Sequence, residues 1–284
     1  MKTSLLSITG IAVITLCASA CSNNEITDVD SVIGTGKSVV FTADEMTRAT
    51  DMHFETGDQV GIYASTSERG EILPSGNYAS NVKYVFNNNR FIPSADGIPL
   101  YNCDIWAINY YAVYPYRDNQ SVSFTFTVGE DQSTHANYTK NDLMLGYNAS
   151  TTADVIVPLN FRHMLCQVVI DASDAELTGN AYSLVFLSDV DKVTANIANL
   201  TAVRTEQGTK PLDIIMCNDG LDRYKAVMPP QRLVNKSVAA YVRINGKTHL
   251  ARLEKDVNLH SGKSVEFKLL PVEDSSEYVL RQQN

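Results

Sequence analysis

Histidine, cysteine and tryptophan are scarce in this chain, and no apolar run is long enough to cross a bilayer. The five histidines, His53, His135, His163, His249 and His260, stand singly. They form no His-x-x-x-His pair, and neither a Gly-x-Ser-x-Gly elbow nor a glycine-rich phosphate loop occurs. These gaps argue against the common zinc, serine-hydrolase and nucleotide-binding chemistries. His163-x-x-Cys166 comes nearest to a ligand pair, but on one strand those positions face opposite sides, and a closed zinc site needs about four converging groups. A core or edge histidine is the expectation there. Asp142 with Asp154, and Asp189 with Asp191, sit in turn-rich sequence where aspartate needs no catalytic explanation. No catalytic, cofactor-binding or metal-binding residue is assigned, and an enzyme is not expected.

Positive charge is also short. Lysine and arginine total 23 against 32 acidic side chains, a formal net charge of −9. Without a concentrated basic face, no nucleic-acid partner is expected. The five cysteines give little more. Cys17 lies in an apolar leader and Cys21 at its end, leaving Cys103, Cys166 and Cys217, an odd number at wide spacing that implies no disulfide framework. Buried free thiols are the expectation, while one long-range bridge in an exported chain stays open with no pair selected.

What is present begins with that leader. Lys2, the apolar run Leu5 to Leu16 and Ala18-Ser19-Ala20 describe an export signal too short to span a membrane. Cys21 directly after the small residues makes it a lipoprotein signal, whose sulfur takes a diacylglycerol and whose cleavage leaves Cys21 as the lipidated N-terminus. Ala18 stands where such signals usually carry leucine, so plain secretory cleavage near Ala20 is the alternative. Residues 1–20 are read as signal and 21–36, polar and without apolar periodicity, as a flexible tether. Anchoring, expected at the outer membrane through the lipid on Cys21, would rest on acyl chains alone, because no basic cluster supports it.

From residue 37 onward, short β-branched or aromatic runs alternate with Gly, Asn, Ser and Pro clusters. Ser38 to Ala43, Gln59 to Ala64 and Asn81 to Phe86 have strand length. Ile105 to Tyr114 is apolar on both parities, which suits a strand buried on two faces and ended by Pro115. Ser121 to Val128 alternates, with Val122, Phe124, Phe126 and Val128 on one face. A second cycle follows Pro158: His163 to Ile170, Tyr182 to Leu187, Val193 to Leu200, Leu212 to Met216, the pair Val238–Ile244 and Lys247–Leu253 joined by Asn245-Gly246, and Ser264 to Leu270. Asn-Gly accepts the positive φ angles of a type I′ hairpin turn. The pattern predicts an all-β chain of two sandwiches, at about 100 residues each. They are placed at 37–158 and 159–271, with a tail at 272–284. Tyr110, Tyr111, Tyr114 and Tyr116, with Trp106, could instead form a carbohydrate-stacking platform, although a buried strand explains them without a ligand.

An ordered set of short segments resembles the fimbrillin family of Bacteroidota, lipoprotein subunits of surface pili, from Cys21 to about Leu270. The segments are Thr47-Arg48-Ala49-Thr50, Gly57-Asp58-Gln59-Val60-Gly61-Ile62-Tyr63, Ala112-Val113-Tyr114-Pro115-Tyr116 and Asp131-Gln132-Ser133. Asp142-Leu143-Met144, Leu159-Asn160-Phe161-Arg162-His163, Met228-Pro229-Pro230-Gln231 and Gly262-Lys263-Ser264-Val265-Glu266-Phe267 complete it. The resemblance implies two transthyretin-like β-sandwich domains and assembly without enzymology. It further implies that an arginine-specific protease cuts between Arg48 and Ala49 and removes the strand Ser38 to Ala43. The groove so opened would be filled by an extended segment of another pilus subunit. In the tail, Val272, Tyr278 and Leu280 share a parity that Asp274 and Ser276 interrupt, which makes it a middling donor and favours a tip or accessory role over the stalk. A host or bacterial surface ligand is a further implied partner. The rival expectation is a monomeric lipid-anchored surface protein that binds glycan.

Overall fold

The computed structural model describes residues 36–43, 53–66, 70–103, 105–149, 154–175, 177 and 182–283. The signal, almost all of the tether, Cys21, Arg48 and Ala49 lie outside the described residues.

The first strands are β1 (Val40–Ala43), β2 (Gln59–Thr66), β3 (Ala79–Asn87), β4 (Arg90–Pro93), β5 (Ile108–Tyr114), β6 (Ser123–Thr127), β7 (Met144–Ala149) and β8 (Ile156–His163). All of these but β6 close into a barrel in the order β1-β4-β3-β2-β5-β7-β8. The β3–β4 turn uses Asn88 and Asn89, both at positive φ, as a two-residue hairpin loop requires. Six junctions are antiparallel. The seventh is parallel: Val40, Phe41, Thr42 and Ala43 stand opposite Ile156, Val157, Pro158 and Leu159. Closure of this kind removes exposed strand edges.

The two-sided apolar strand is β5, three residues shorter at its start than the sequence suggests, with Ile105 exposed. Its two parities serve two cores. Ile108, Tyr110, Ala112 and Tyr114 point into the barrel with Val60, Ile62 and Ala64 of β2. Tyr111 and Val113, with Tyr63 of β2, join a second and larger core.

That larger core is covered by the strands β9 (Cys166–Asp171), β10 (Tyr182–Ser188), β11 (Lys192–Asn196), β12 (Thr201–Arg204), β13 (Leu212–Ile215), β14 (Cys217–Gly220), β15 (Arg223–Met228), β16 (Gln231–Leu233), β17 (Val238–Ile244), β18 (Lys247–Leu253), β19 (Val257–Leu259), β20 (Ser264–Pro271) and β21 (Tyr278–Gln282). Nine of them form one sheet, β13-β10-β17-β18-β21-β20-β9-β15-β14. The Asn245-Gly246 hairpin is as expected, both residues at positive φ and Ile244 paired with Lys247. A short helix, α1 (His135–Asn141), begins where the Thr134 hydroxyl accepts the Asn137 N–H.

The all-β expectation holds, with tandem barrel-like and sandwich units. Beyond the start of β5, two element boundaries and one strand partner differ from it. The run His163 to Ile170 is two strands, because the chain breaks at Met164-Leu165 to pass from β8 to β9. Val193 to Leu200 stops at Asn196, and Leu200 takes a positive φ in the turn that follows. The alternating segment around β6 buries Val122, Phe126 and Val128 as expected, yet β6 pairs with β11, Phe126 opposite Val193, and not with a barrel strand. Cys103, Cys166 and Cys217 are buried free thiols.

Phe41 reaches the barrel interior from the four-residue β1 and is fully buried. Phe41→Ala is expected to lower unfolding stability by about 3–5 kcal/mol, read from denaturant melts of the full chain. A loss below about 1 kcal/mol would show that β1 is not packed as described.

Candidate strand-exchange groove

β1 occupies a slot bounded by β4 on one side and β8 on the other. Its residues alternate: Val39 and Phe41 are buried and Ala43 packs against the same core, while Val40 and Thr42 are half-buried on the outer face. Phe41 meets Tyr84 and Tyr110 edge-on, each at a ring-centroid distance of 5.0 Å. Below it Phe54, Phe91, Tyr114 and Phe161 form a further cluster, with Phe54–Phe91 at 4.8 Å and Phe54–Phe161 at 5.0 Å. Edge-to-face pairs of this kind stabilise beyond the area they bury. The sequence supports this locally, because Tyr84, Phe86 and Phe91 fall on the inward parity of the β3–β4 hairpin.

The slot also holds backbone. Val39 N–H donates to the Leu100 carbonyl at 2.8 Å and Val40 N–H to the Val155 carbonyl at 2.9 Å. Asn102 N–H donates to the Lys37 carbonyl at 3.0 Å, and Lys37 N–H to Asn102 Oδ1 at 2.6 Å. Tyr84 of β3 ties Val39 to the Leu100 segment: its buried hydroxyl accepts the Leu100 N–H at 3.0 Å and donates to the Val39 carbonyl at 3.1 Å. Burial pushes the Tyr84 pKa far above the usual tyrosine range, with the Leu100 hydrogen bond opposing. The hydroxyl therefore remains a donor at any physiological pH. If Val39 left, that donor would be buried without its acceptor, a cost that favours refilling the slot.

The chain's far end does not hang free. β21 lies inside the nine-stranded sheet, parallel to β18 and antiparallel to β20. Leu280 is buried in the larger core, and Arg281 Nε and Glu254 form an ion pair at 3.0 Å. Tyr278 packs against that core too, so the parity shared by Tyr278 and Leu280 is used within the chain.

The remaining candidates do not converge. His163 ends β8 and Cys166 opens β9, so they sit on different strands. His163 Nδ1 instead lies 3.0 Å from Asp142 Oδ2, with both side chains fully buried. That pairing, missed by sequence spacing, has no local signal, because it joins residues from the end of α1 and the end of β8. Asp142 is thus a core residue and Asp154 is not beside it in burial. Asp191 is buried as well, accepting from Thr209 Oγ1 at 3.0 Å and Lys210 N at 3.1 Å. Burial acts to raise its pKa, but these bonds outweigh it and hold the carboxyl below its usual value. Among the described residues no three His, Cys, Asp or Glu side chains are placed to hold a metal ion. Tyr110, Tyr111 and Tyr114 are buried, so they do not present a stacking platform; Trp106 packs against the barrel core and Tyr116 donates to Asp118.

A family model described as fimbrillin-like matches residues 47–277. A search of curated proteins returns no match. A solved structure described as a candidate cell adhesion protein from Bacteroides ovatus superposes with a TM-score of 0.70 at 14% identity, over 88% of this chain and 96% of that one. One with the same description from Bacteroides uniformis gives 0.62 at 20% identity, over 87% and 98%. A third, from Bacteroides thetaiotaomicron, gives 0.52 at 13% identity, over 84% and 98%. At these identities the likeness is one of fold.

Tyr84→Phe removes the hydroxyl and nothing else. The expected result is a loss of about 1–3 kcal/mol in denaturant unfolding, since the Val39 carbonyl and Leu100 N–H each lose a buried partner. An unchanged midpoint would show that this bridge does not hold β1.

Proposed function

This chain belongs to the fimbrillin-like family, and from that premise we propose that it is a structural subunit of a cell-surface pilus, assembled by replacement of its β1 strand. It is exported as a lipoprotein on Cys21 and carried to the outer membrane. An arginine-specific protease cuts between Arg48 and Ala49, between β1 and β2, and frees everything before Ala49. β1 then leaves, and an extended segment of another pilus subunit enters between β4 and β8.

The observation that carries this reading is the placement of β1. It is four residues long, closes the barrel through its one parallel junction, and is the strand that a cut at Arg48 would sever. Its loss would expose two strand edges and an apolar slot in the same place, which is the requirement for strand addition.

The role within the pilus follows from the other end. A subunit that donates its tail needs that tail outside its own fold, and β21 is paired on both edges. Residues 278–282 are therefore poor donors, which favours a tip or accessory role over the stalk. The division into two units near Pro158 is part of this proposal, with β8 running on to His163 before it leaves the barrel and β21 belonging to the second sheet. The glycan-binding monomer is the less supported reading, because the tyrosines it would rely on are buried.

The test is the intact mass and N-terminal sequence of the protein from native envelopes and from sheared surface material. Surface material beginning at Ala49 is expected, and Arg48→Gln is expected to leave the chain in the envelope with its lipid. Filament-associated protein that begins at lipidated Cys21 would refute processing by this route. A second expectation concerns the tail: Leu280→Asp lowers the unfolding stability of the subunit by about 2 kcal/mol or more. A neutral effect would mean that β21 is not part of the fold and is free to be donated.

A further inference from the structure

The strand that closes the barrel and a strand near the end of the chain carry the same hexapeptide. Gly36-Lys37-Ser38-Val39-Val40-Phe41 and Gly262-Lys263-Ser264-Val265-Glu266-Phe267 differ only at their fifth residue. The structural settings repeat in part. β1 is parallel to β8 and antiparallel to β4, and β20 is parallel to β9 and antiparallel to β21. The Lys37 carbonyl accepts the Asn102 N–H from the antiparallel side, whereas the Lys263 carbonyl accepts the Gln167 N–H from the parallel strand β9, both at 3.0 Å. Val39 and Phe41, like Val265 and Phe267, are buried in their cores.

Three of the shared residues, Gly36, Val39 and Phe41, have a physical reason in the barrel slot, while Lys37 and Ser38 are exposed. A Cβ on Gly36 would stand 2.0 Å from the Asn102 carbonyl oxygen, so only glycine passes there. At Gly262 the reason is a φ of +69° together with a Cβ position 3.0 Å from the His163 carbonyl. Val39 places its carbonyl on the Tyr84 hydroxyl, and Phe41 fills the space between the Tyr84 and Tyr110 rings.

The positions that differ face outward and match their own neighbours. The register Phe41 opposite Phe91 sets Ile92 beside Val40 on one side, and Ile156 pairs with Val40 on the other. Ile92 is 38% exposed and Ile156 46% exposed, so Val40 bridges an apolar row across the seam. In β20 the same position is Glu266, which pairs with Arg223 at 2.6 Å, and Lys268 pairs with Asp174 at 2.9 Å. A third inward position is small in the barrel, Ala43, and large in the sheet, Leu269.

We propose that the slot vacated by β1 selects donor segments of the pattern Gly-x-x-Val-apolar-Phe-x-small, running in the direction of β1. This rests on the strand-replacement reading above and adds to it the sequence of the partner. Recognition comes from a backbone passage that only glycine clears, a carbonyl held by Tyr84, an aromatic pocket, and an outward apolar residue that joins Ile92 to Ile156. The order from bulky to small along the inward face fixes the direction of entry. A segment of that pattern, with an apolar fifth residue, is the first place to look for a donor in companion subunits.

The test uses the full-length folded protein nicked once after Arg48, checked by intact mass, so that residues up to Arg48 stay bound without a covalent link. Fluorescent peptides of residues 36–44 are then exchanged in, and their affinity for the slot is read by anisotropy. The unaltered peptide is expected to enter, its Phe41→Ala form to bind at least about a hundred-fold more weakly, and its Val40→Glu form about ten-fold more weakly. A peptide of residues 262–270 is expected to bind below the unaltered one and to improve with Glu266→Val. If the unaltered peptide enters and the Phe41→Ala or Val40→Glu forms bind as well, the proposed selectivity is wrong while strand replacement stands. If no peptide enters, including the unaltered one, both fail.

Discussion

The barrel is a barrel only because β1 lies between β4 and β8. That junction differs in kind from the others: parallel neighbours cannot be joined by a tight turn, so β1 and β8 are brought together by packing and not by chain connectivity. Its hold is correspondingly small. Two fully buried side chains, Val39 and Phe41, at about 1.5–3 kcal/mol each, supply most of the apolar contribution, and a handful of backbone hydrogen bonds align it. Such a strand completes the fold with little hold of its own, which is what the proposed exchange after a cut between β1 and β2 requires. The Tyr84 hydroxyl and the Phe41 pocket make the empty state costly, so the slot favours being filled by something of similar pattern.

The rest of the molecule backs that slot with rigid structure. β2 and β5 turn one face to the barrel and the other to the larger core. The wall opposite β1 is therefore packed on both sides. At the other end, β21 completes the nine-stranded sheet, so the terminal segment contributes to its own subunit.

Much of this was legible in local pattern. Asn245-Gly246 marked its hairpin, the alternation of Ser121 to Val128 marked its buried face, and the double parity of Ile105 to Tyr114 marked a strand buried on two sides, although the strand itself starts at Ile108. What escaped were features set by distant partners. Nothing near Ser123–Thr127 says that it pairs with β11, and nothing near Asp142 says that His163 will be 3.0 Å away. The break at Met164-Leu165 is invisible because both flanks are apolar, and a passage between two cores looks like a continuing strand. The tail misled for a related reason: Asp274 and Ser276 interrupt its parity, but they lie before β21, whose own inward residue is Leu280.

The most direct measurement is a structure of filaments taken from the cell surface, resolved well enough to trace the strand between β4 and β8 of this subunit. The account predicts density there that belongs to another chain, with this chain starting after Arg48. Density continuous with the subunit's own residues 36–43 in assembled filaments would contradict it.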